Sequence, residues 1–460
     1  MEQQNTRIKL FAIAKDEAAY IPQWVHHHFY FGFDEIEIWL NNIEDNSIEV
    51  CQSLHEKLEG FSYVNADSFL EECVNENKNF QVEAYNFILK KELERDLITH
   101  ILYLDLDEFW TPKDFSSTIK DIIILAPEAD TRSFSWYFDS PLYDKLPFEK
   151  TYQKSLVIYK NNHVKSLVKI SDKVRRVNIH NHSVDQGKNL LADGNVFDIT
   201  ESYQHNGALL REDCFEKNKN DVDIAFIYHN IFRSQLEYIS SLLRGRKHAN
   251  DTRVFKVNRI GYVIDPDSRS FKSSGELFFN IDSDKLNSYY KGYVSFLDEK
   301  QLLCELNIAQ AFIIKRFNKV KAIISEDKTY RGNSIFRGIE FKFFRNINSS
   351  LKYCIDKVSI TQKEVSIEGW SFLLNYHKPL NIKLLLKDSK RSKHLIDVSF
   401  DFVERINRPD VLNAYNLENP LQCGFNIRFS CNYEYLENKV SIYDFDENSN
   451  TITFLLKILP

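Results

Sequence analysis

Apolar residues follow two different spacings along the first hundred positions. Continuous apolar runs predict buried strands, and apolar residues at helical spacing predict helices between them. The predicted strands cover 7–14, 35–42, 61–67 and 99–104, and the predicted helices about 16–32, 45–59 and 79–96. Strands and helices that alternate in this way are typical of an α/β sheet with parallel strands, in which ligands bind at the carboxyl ends of the strands.

The pattern changes twice further along the chain. Residues 111–230 are less regular, with helices expected over about 229–249 and within 283–325. From about 335 onward, short alternating runs separated by polar turns favour an all-β sandwich. We therefore predict an α/β domain over 1–335, with a helical extension over about 229–325, and a β-sandwich domain over 340–460.

The segment 99–110, THILYLDLDEFW, places three carboxylates directly after a buried strand. For an isolated DxD triplet, a solvated acidic turn is the commoner explanation. That explanation would also cover Asp105, Asp107 and Glu108 if their context were ignored. Here the apolar strand before them and their place at the ligand-binding edge favour a cation site. Mn²⁺ and Mg²⁺ prefer carboxylate oxygens and share them with phosphates. We expect these carboxylates to repel one another until a cation and a diphosphate bind, as in a nucleotide-sugar glycosyltransferase.

Composition and charge exclude several other classes. The formal net charge of −7 gives no indication of nucleic-acid binding, so no nucleic-acid partner is expected. The seven cysteines form no CxxC pair, which is poor evidence for a zinc site or a disulfide framework and suits a reducing cytoplasm. No secretory signal and no transmembrane run is evident. We expect a cytoplasmic enzyme, with peripheral contact to the inner face of the cytoplasmic membrane left open.

Five segments in order resemble bacterial glycosyltransferases of family 2 and the related family 92, over about 7–250. They are AIAKDEAAYIPQWVHHHFYFGFDEIEIWLNN, QVEAYNFILK, YLDLDEFW, FSWYFDSP and YHNIFRSQLEYISSLLRGRKHA. The chain departs from the family pattern at Asp16, Asp139 and Asn230, where Asn, Gly and Tyr are usual. The segments IEGWSF and NRPDVLNAYNLENPLQCGFNIRF resemble an accessory module that follows bacterial glycosyltransferases.

The resemblance implies a GT-A fold, a nucleotide-diphosphate sugar donor and inversion at the anomeric carbon. The expected Mn²⁺ or Mg²⁺ ligands are Asp105, Asp107 and His229. The expected donor-binding residues are Lys15, Glu17, Asp67, Gln81, Asn86, Asp105 and Arg233. Arg244 and Arg246 are further candidates for the diphosphate or an anionic acceptor. Inversion needs a general base, for which Asp139 comes first and Asp144 second.

Each assignment has a plainer alternative. Asp67 could cap a helix that starts at 68, and Gln81 and Asn86 could be ordinary polar residues on a helix surface. His229 could be a buried, hydrogen-bonded histidine, and His180 and His182 compete for its role. The arginines could form a solvated helix face. Consecutive residues of a helix point about 100° apart. We therefore expect the histidines at 26–28 to lie on a helix surface, with only His28 facing inward.

The resulting hypothesis is an inverting, metal-dependent transferase. It would move a sugar, with a UDP-sugar the favoured donor, to a glycan or glycolipid acceptor in bacterial surface polysaccharide or lipooligosaccharide synthesis. One alternative is a non-catalytic protein that binds glycan or sugar nucleotide through its β domain. A nucleotidyltransferase would also use paired aspartates and a metal, but it would need a phosphate loop that AIAKDEAAY does not provide.

Overall fold

The structure is a computed structural model, and the chain divides into two units. Unit 1 comprises Met1–Lys145 and Thr151–Arg337, and unit 2 comprises Leu146–Lys150 and Gly338–Pro460. The residues that the structure describes are 6–142, 145, 147–197, 209–245, 253–256, 259, 261–264, 273–339, 351–360, 364–373, 378–379, 382–387, 395–398, 402–410, 423–430, 440–446 and 451–458.

Unit 1 contains both helices and strands. Its described helices are α1 (Ile21–Tyr30), α2 (Ser47–Lys57), α3 (Asp67–Asn75), α4 (Phe80–Arg95), α5 (Ile119–Ile124), α6 (Glu212–Asn218), α7 (Gln235–Ser241), α8 (Ser283–Glu299) and α9 (Leu303–Glu326), with 3-10 turns at Lys328–Gly332 and Ser334–Phe336. Its described strands are β1 (Ile8–Ala14), β2 (Glu35–Leu40), β3 (Phe61–Asn65), β4 (His100–Tyr103), β5 (Glu108–Pro112), β6 (Thr131–Asp139), β7 (Ser155–Lys169), β8 (Val174–Arg176), β9 (Ser183–Val184), β10 (Asn189–Leu191), β11 (Ala225–His229) and β12 (Leu277–Asn280).

The main sheet has the strand order β3-β2-β1-β4-β7-β6-β11-β5, with β10 beside β6 and β12 beside β7. Strands β3, β2, β1 and β4 are parallel, which confirms the prediction for the first hundred residues. Strand β7 runs antiparallel to β4 and β6, while β11 is parallel to β6 and antiparallel to β5. The sheet is therefore mixed and is compatible with a Rossmann-like domain.

The connection between β4 and β5 shows that this sheet curls. Only residues 104–107 join the two strands, and they can span at most about 17 Å. In a flat sheet, the four pairing steps from β4 to β5 would separate them by about 19 Å. Curling brings the edge strand β5 back toward β4 and places residues 104–107 at the carboxyl end of the parallel strands.

Helix α1 is buried more completely than the sequence predicts. His26, His27 and His28 are 7%, 0% and 0% exposed, so the expectation of a helix surface with one inward histidine is wrong. The ring of His26 lies against α8, 5.3 Å from the Tyr293 ring, while His27 Nε2 lies 2.8 Å from the Trp110 carbonyl oxygen of β5. Because α1 packs against both the sheet and α8, the three consecutive positions 26–28 are all covered.

The bounds of three further elements can be compared with the prediction. Helix α7 ends at Ser241, whereas the pattern predicted a helix over 229–249, of which 246–249 lie outside the described residues. Asp67 is the first residue of α3, a helix that the pattern did not predict beyond a possible cap. The helical stretch at 283–325 is confirmed as two helices, α8 and α9, separated at residues 300–302.

A buried ion cluster joins β1, β2 and α4 within unit 1. Lys9 Nζ lies 2.6 Å from a carboxylate oxygen of Glu37 and 2.6 Å from one of Glu92, and these three side chains are at most 2% exposed. Lys91 Nζ also lies 2.8 Å from Glu37 but is largely outside, with its side chain 42% exposed. The single buried lysine thus compensates carboxylates from two elements of the sheet-helix interface.

Unit 2 is rich in strands. They are β13 (Leu351–Ile360), β14 (Glu364–Leu373), β15 (Lys378–Pro379), β16 (Ile382–Lys387), β17 (Leu395–Val398), β18 (Phe402–Ile406), β19 (Gly424–Ser430), β20 (Val440–Asp446) and β21 (Thr451–Ile458). They form one sheet with the order β13-β14-β19-β18, to which β15 adds, and another with the order β17-β16-β20-β21. All the described pairs are antiparallel. The predicted strand-rich region is confirmed, and its packing as a sandwich stays a prediction.

Within the described ranges, we find no helix that has both the length and the apolar composition needed to cross a membrane.

Candidate active site

The carboxylate loop at 104–107 is fixed by backbone hydrogen bonds at both of its ends. The Leu104 N–H donates to the Phe11 carbonyl oxygen of β1 at 3.1 Å, and the Asn230 N–H donates to the Asp107 carbonyl oxygen at 2.8 Å. The loop is therefore bound to the middle of β1 and to the residue that follows β11. This explains why its carboxylates, adjacent in the sequence, meet side chains from different strands.

Asp105 faces β7 and α4. Its Oδ2 lies 3.5 Å from Lys165 Nζ, and its Oδ1 accepts a hydrogen bond from Gln81 Nε2 at 3.3 Å. Its side chain is 42% exposed, so it is accessible from solvent. The same lysine lies 3.2 Å from Glu108 Oε2, which also accepts the Asp105 N–H at 2.9 Å. Lys165 therefore compensates the charges of two of the three carboxylates.

Asp107 faces β11 and the segment beyond α7. Its Oδ1 lies 3.5 Å from His229 Nε2, and its Oδ2 lies 3.4 Å from Arg259 Nη2. Burial alone would raise the pKa of Asp107, but His229, Arg259 and Arg233 hold it well below its usual value. Asp107 is thus an ionised carboxylate in a buried place. Burial and the neighbouring Asp105 and Asp107 raise the pKa of Glu108, so the expected repulsion among the carboxylates is present. Each carboxylate also has a cationic or imidazole partner before any ligand binds, which the sequence did not predict.

The structure brings together part of the predicted metal set. Asp107 and His229 lie side by side because β5 and β11 pair with Glu108 opposite His229. Asp105 instead faces Lys165, and among the residues that the structure describes no three His, Cys, Asp or Glu side chains are arranged to hold a metal ion. His229 Nδ1 is buried and has no hydrogen-bond partner within the described part of the chain. Asp107 and His229 offer the oxygen and nitrogen donors that suit Mn²⁺, so this pair fits such an ion.

Basic side chains surround Asp107 and the end of β1. Arg244 forms an ion pair with Glu17, whose side chain is 5% exposed. Lys15 Nζ donates to the Gly245 carbonyl oxygen at 3.1 Å. Burial, with Arg244 and Arg259 close by, lowers the pKa of Lys256 well below its usual value. Lys256 is therefore hard to charge, because it is buried and has two arginines close by.

Arg233 lies between α1 and the carboxylate loop. Its guanidinium carbon is 3.4 Å from the centroid of the Tyr20 ring, and its Nη2 donates to the Leu106 carbonyl oxygen at 3.3 Å. The cation thus covers an aromatic face at cation–π distance and touches the loop that carries Asp107. The structure therefore places this predicted donor-binding residue beside the carboxylates.

Asp139, at the end of β6, is buried, and its oxygens are already engaged. Oδ1 accepts the Phe232 N–H at 3.0 Å and Oδ2 accepts the Arg233 N–H at 2.8 Å, with Lys145 Nζ 3.5 Å from Oδ2. Burial raises the pKa of Asp139, partly offset by Lys145 and the two N–H groups. The other predicted base, Asp144, lies outside the described residues.

The remaining predicted residues mainly hold backbone segments. Asn86 donates to the Val82 and Val177 carbonyl oxygens and accepts the Val177 N–H, all within 2.7–2.9 Å. Asp67 Oδ1 accepts the Asn42 N–H at 2.6 Å, so it ties the loop after β2 to α3. The two rival histidines of the 180–182 segment lie against carbonyl oxygens of β7, His180 at 3.0 Å and His182 at 2.7 Å.

Three residues of the site escaped the sequence analysis. Lys165 is a charged position inside the apolar strand pattern HVKSLVKI, and this was a usable signal for a buried ion pair. Arg259 lies in a segment with no periodic pattern, so no signal identified it. Tyr20 likewise gave no sign that its ring would meet Arg233.

No protein-family model and no curated protein sequence matches this chain. Among solved structures, the crystal structure of S. aureus TarS is similar to it at 10% sequence identity, over 98% of this chain and 77% of that one, with a TM-score of 0.22. A TM-score this low supports no conclusion about fold or function. The proposals below therefore depend on the residues and their geometry.

Proposed function

We propose that the chain is a glycosyltransferase with a GT-A fold that uses a nucleotide-diphosphate sugar as donor. The observation that carries this proposal is the buried Asp107 carboxylate, which lies beside His229 and Arg259 at the carboxyl ends of the parallel strands of the mixed sheet. Such an edge is where α/β sheets bind nucleotides. The order of the segments that resemble glycosyltransferases of families 2 and 92 points to the same class.

The basic side chains of the site would bind the diphosphate of the donor. A departing nucleoside diphosphate gains negative charge as the glycosidic bond breaks, and fixed cations stabilise that charge most where water is excluded. Arg233 is already held against the carboxylate loop by Tyr20 and the Leu106 carbonyl oxygen. Glu17 and Lys15, at the end of β1, border the place where the nucleoside would lie. Gln81 and Asp105 would contact the ribose from the α4 side.

Asp107 and His229 would hold the expected Mn²⁺ or Mg²⁺. When bound, the ion would supply a Lewis acid to the diphosphate oxygens. The chain's own part is to keep Asp107 ionised and His229 oriented by the pairing of β5 with β11. Arg259 lies 3.4 Å from Asp107, so it compensates the charge of the same carboxylate that would hold the ion.

The acceptor is proposed to be a hydroxyl of a glycan or glycolipid. Its oxygen would attack the anomeric carbon of the donor with inversion, while the bond from that carbon to the diphosphate breaks and the nucleoside diphosphate leaves. Inversion needs a carboxylate or imidazole to accept the hydroxyl proton, and Asp139 and Asp144 stay the predicted candidates. We assign the donor site to unit 1, because every residue named above belongs to it. Contact with a membrane surface and the role of unit 2 stay predictions.

A donor-hydrolysis screen would test the proposal. The purified chain is incubated with a panel of nucleotide sugars and Mn²⁺, and release of the nucleoside diphosphate is measured. We expect hydrolysis of at least one UDP-sugar, loss of it with EDTA or in Asp107→Ala, and normal rates in the control Asp284→Ala, whose residue is exposed on α8. Binding of a nucleotide sugar without turnover would instead support a non-catalytic binding protein.

A further inference from the structure

Asp139 binds two consecutive backbone N–H groups of the segment that follows β11. The Phe232 N–H donates to Oδ1 at 3.0 Å and the Arg233 N–H to Oδ2 at 2.8 Å. Its side chain is 2% exposed. A general base needs an oxygen within reach of the acceptor hydroxyl, and here both oxygens face the backbone of one loop.

The backbone that Asp139 holds has an unusual conformation at Arg233. Its φ is +49°, in the left-handed region that non-glycine residues adopt only rarely. The Tyr262 hydroxyl lies 3.1 Å from the Arg233 carbonyl oxygen and 2.9 Å from the Leu142 carbonyl oxygen, so its single proton is shared between these two acceptors. Such a conformation persists only where the surroundings impose it, and it is concentrated at functional sites.

This conformation directs the Arg233 side chain to the carboxylate loop. Its guanidinium covers the Tyr20 ring and donates to the Leu106 carbonyl oxygen. Within the described ranges, Arg233 has no carboxylate at ion-pair distance. The other arginines here do, in the pairs Arg244–Glu17, Arg259–Asp107 and Arg316–Asp16. The guanidinium of Arg233 therefore contributes positive charge near Asp107 without contacting a carboxylate directly, and it can still bind an anion.

We propose that Asp139 is a positioning residue: it holds Arg233 where the guanidinium binds the diphosphate of the donor. This inference rests on the proposed function, and it separates Asp139 from the base. Asp139 acts through the backbone of Arg233 and does not touch the acceptor. The proton of the acceptor hydroxyl must then be taken by another group, and Asp144 is the remaining candidate.

A double-mutant cycle tests the proposal. Affinities for UDP and for inorganic pyrophosphate are measured by calorimetry, with Mn²⁺, for wild type, Asp139→Asn, Arg233→Gln and the double variant. Loss of a charge-assisted hydrogen bond typically weakens binding about tenfold or more. We expect each single variant to weaken UDP binding by about tenfold, and the double variant to bind no more weakly than Arg233→Gln alone. The matched control, Lys145→Met, removes the cation beside Asp139 but leaves both backbone hydrogen bonds, and it should bind UDP normally.

Two results would overturn the proposal. One is normal UDP binding by Asp139→Asn combined with a lost acidic limb in the pH–rate profile, which is the signature of a general base. The other is a double variant whose loss of UDP-binding free energy equals the sum of the losses in the two single variants. If Asp139→Asn fails to fold, Tyr262→Phe removes the hydroxyl that the Arg233 and Leu142 carbonyl oxygens share, and unchanged UDP affinity in that variant would also contradict the proposal that a fixed Arg233 backbone places the guanidinium.

A failure of the proposed function can be distinguished from a failure of this inference. If the wild-type chain binds neither UDP nor pyrophosphate, the donor assignment is wrong, but amide hydrogen exchange still tests the positioning. The N–H groups of Phe232 and Arg233 should be protected in the wild type and in Lys145→Met, and exposed to exchange in Asp139→Asn. Equal protection in all three chains would show that Asp139 does not fix this loop.

Discussion

Lys165 Nζ lies 3.2 Å from Glu108 Oε2, and the two side chains are 1% and 0% exposed. Burial raises the pKa of Glu108 to about 7 although Lys165 opposes the rise, while Asp105 and Glu108 hold the pKa of Lys165 above its usual value against burial. The lysine lies between two carboxylates, and the Asp105 N–H also donates to Glu108, and these contacts favour the charged form of the pair.

We predict that Lys165→Met lowers the free energy of unfolding by about 3–5 kcal/mol, since it leaves a buried carboxylate without its cation. The double variant Lys165→Met with Glu108→Gln should recover part of that loss. Urea unfolding of the wild type, both single variants and the double variant measures the coupling. Additive effects would show that the two side chains are independent.

Asp107→Asn should destabilise the chain without ligand by about 1–3 kcal/mol, because it removes a buried charge that His229 and Arg259 face. It should also abolish the extra thermal stabilisation that Mn²⁺ and UDP together give beyond either alone. A thermal shift series on both proteins measures the two effects. The more exposed Asp105→Asn is the comparison, with a smaller loss of stability expected. An Asp107→Asn chain that keeps the synergy would exclude this carboxylate from the metal site.

The histidines of α1 should make stability depend on pH below neutrality. Burial lowers the pKa of His26 to about 4 and that of His28 to about 3, and it lowers the pKa of His27 as well. The unfolded chain then binds more protons than the folded one, so stability is complete above about pH 6.5 and falls as the pH decreases toward these values. Each such histidine contributes up to about 1.4 kcal/mol per pH unit.

Melting temperatures between pH 7.5 and 5 measure this slope. His26→Gln should reduce it, because that position can no longer take up a proton on unfolding, while the exposed His55→Gln should leave it unchanged. A slope unaffected by His26→Gln would assign the acid sensitivity to other groups.

Lys9→Met should cost about 3–5 kcal/mol of unfolding free energy, because Glu37 and Glu92 would remain buried without their shared cation. Lys91→Met is the matched control, since Lys91 contacts the same Glu37 from a side chain that is 42% exposed. The control should cost less than about 1 kcal/mol. Denaturant unfolding of the two variants gives the comparison, and equal losses would contradict the importance of burial.

A chain shortened at Arg337 should fold and bind UDP, whereas one shortened at Glu326 should be unstable. The longer chain keeps the Tyr238 hydroxyl donating to the Ile335 carbonyl oxygen at 2.9 Å, and the Tyr262 N–H donating to the Arg337 carbonyl oxygen at 2.8 Å. Circular dichroism and UDP calorimetry on both chains test this. A folded chain ending at Arg337 that cannot bind UDP would place part of the donor site in unit 2.

The parallel strands could be predicted from the sequence because their signals are local. Strands β1 to β3 coincide with continuous apolar runs, and α4 with a helical spacing that starts at the cap Asn79. The burial of α1 could not be predicted in this way. A one-sided helical pattern assumes a single covered face, and here α8, distant in the sequence, covers a second face.

The candidate site was predictable in its carboxylates but not in their partners. The sequence places Asp105 and Asp107 at the end of one strand, and it suggested that both meet one ion. Their side chains instead diverge, because Lys165 belongs to β7 and His229 to β11. Which strand pairs with β5 depends on the order of the whole sheet, and no local pattern contains that information.

The short connection at 104–107 also determines when the site loses its conformational freedom. Its backbone is tied to β1 and to the residue after β11, and its few residues must reach between two strands of a curled sheet. Its conformational entropy is therefore lost when the chain folds, before any ligand arrives. A ligand that binds this loop then needs to order little more backbone, and a larger share of its contact energy becomes affinity.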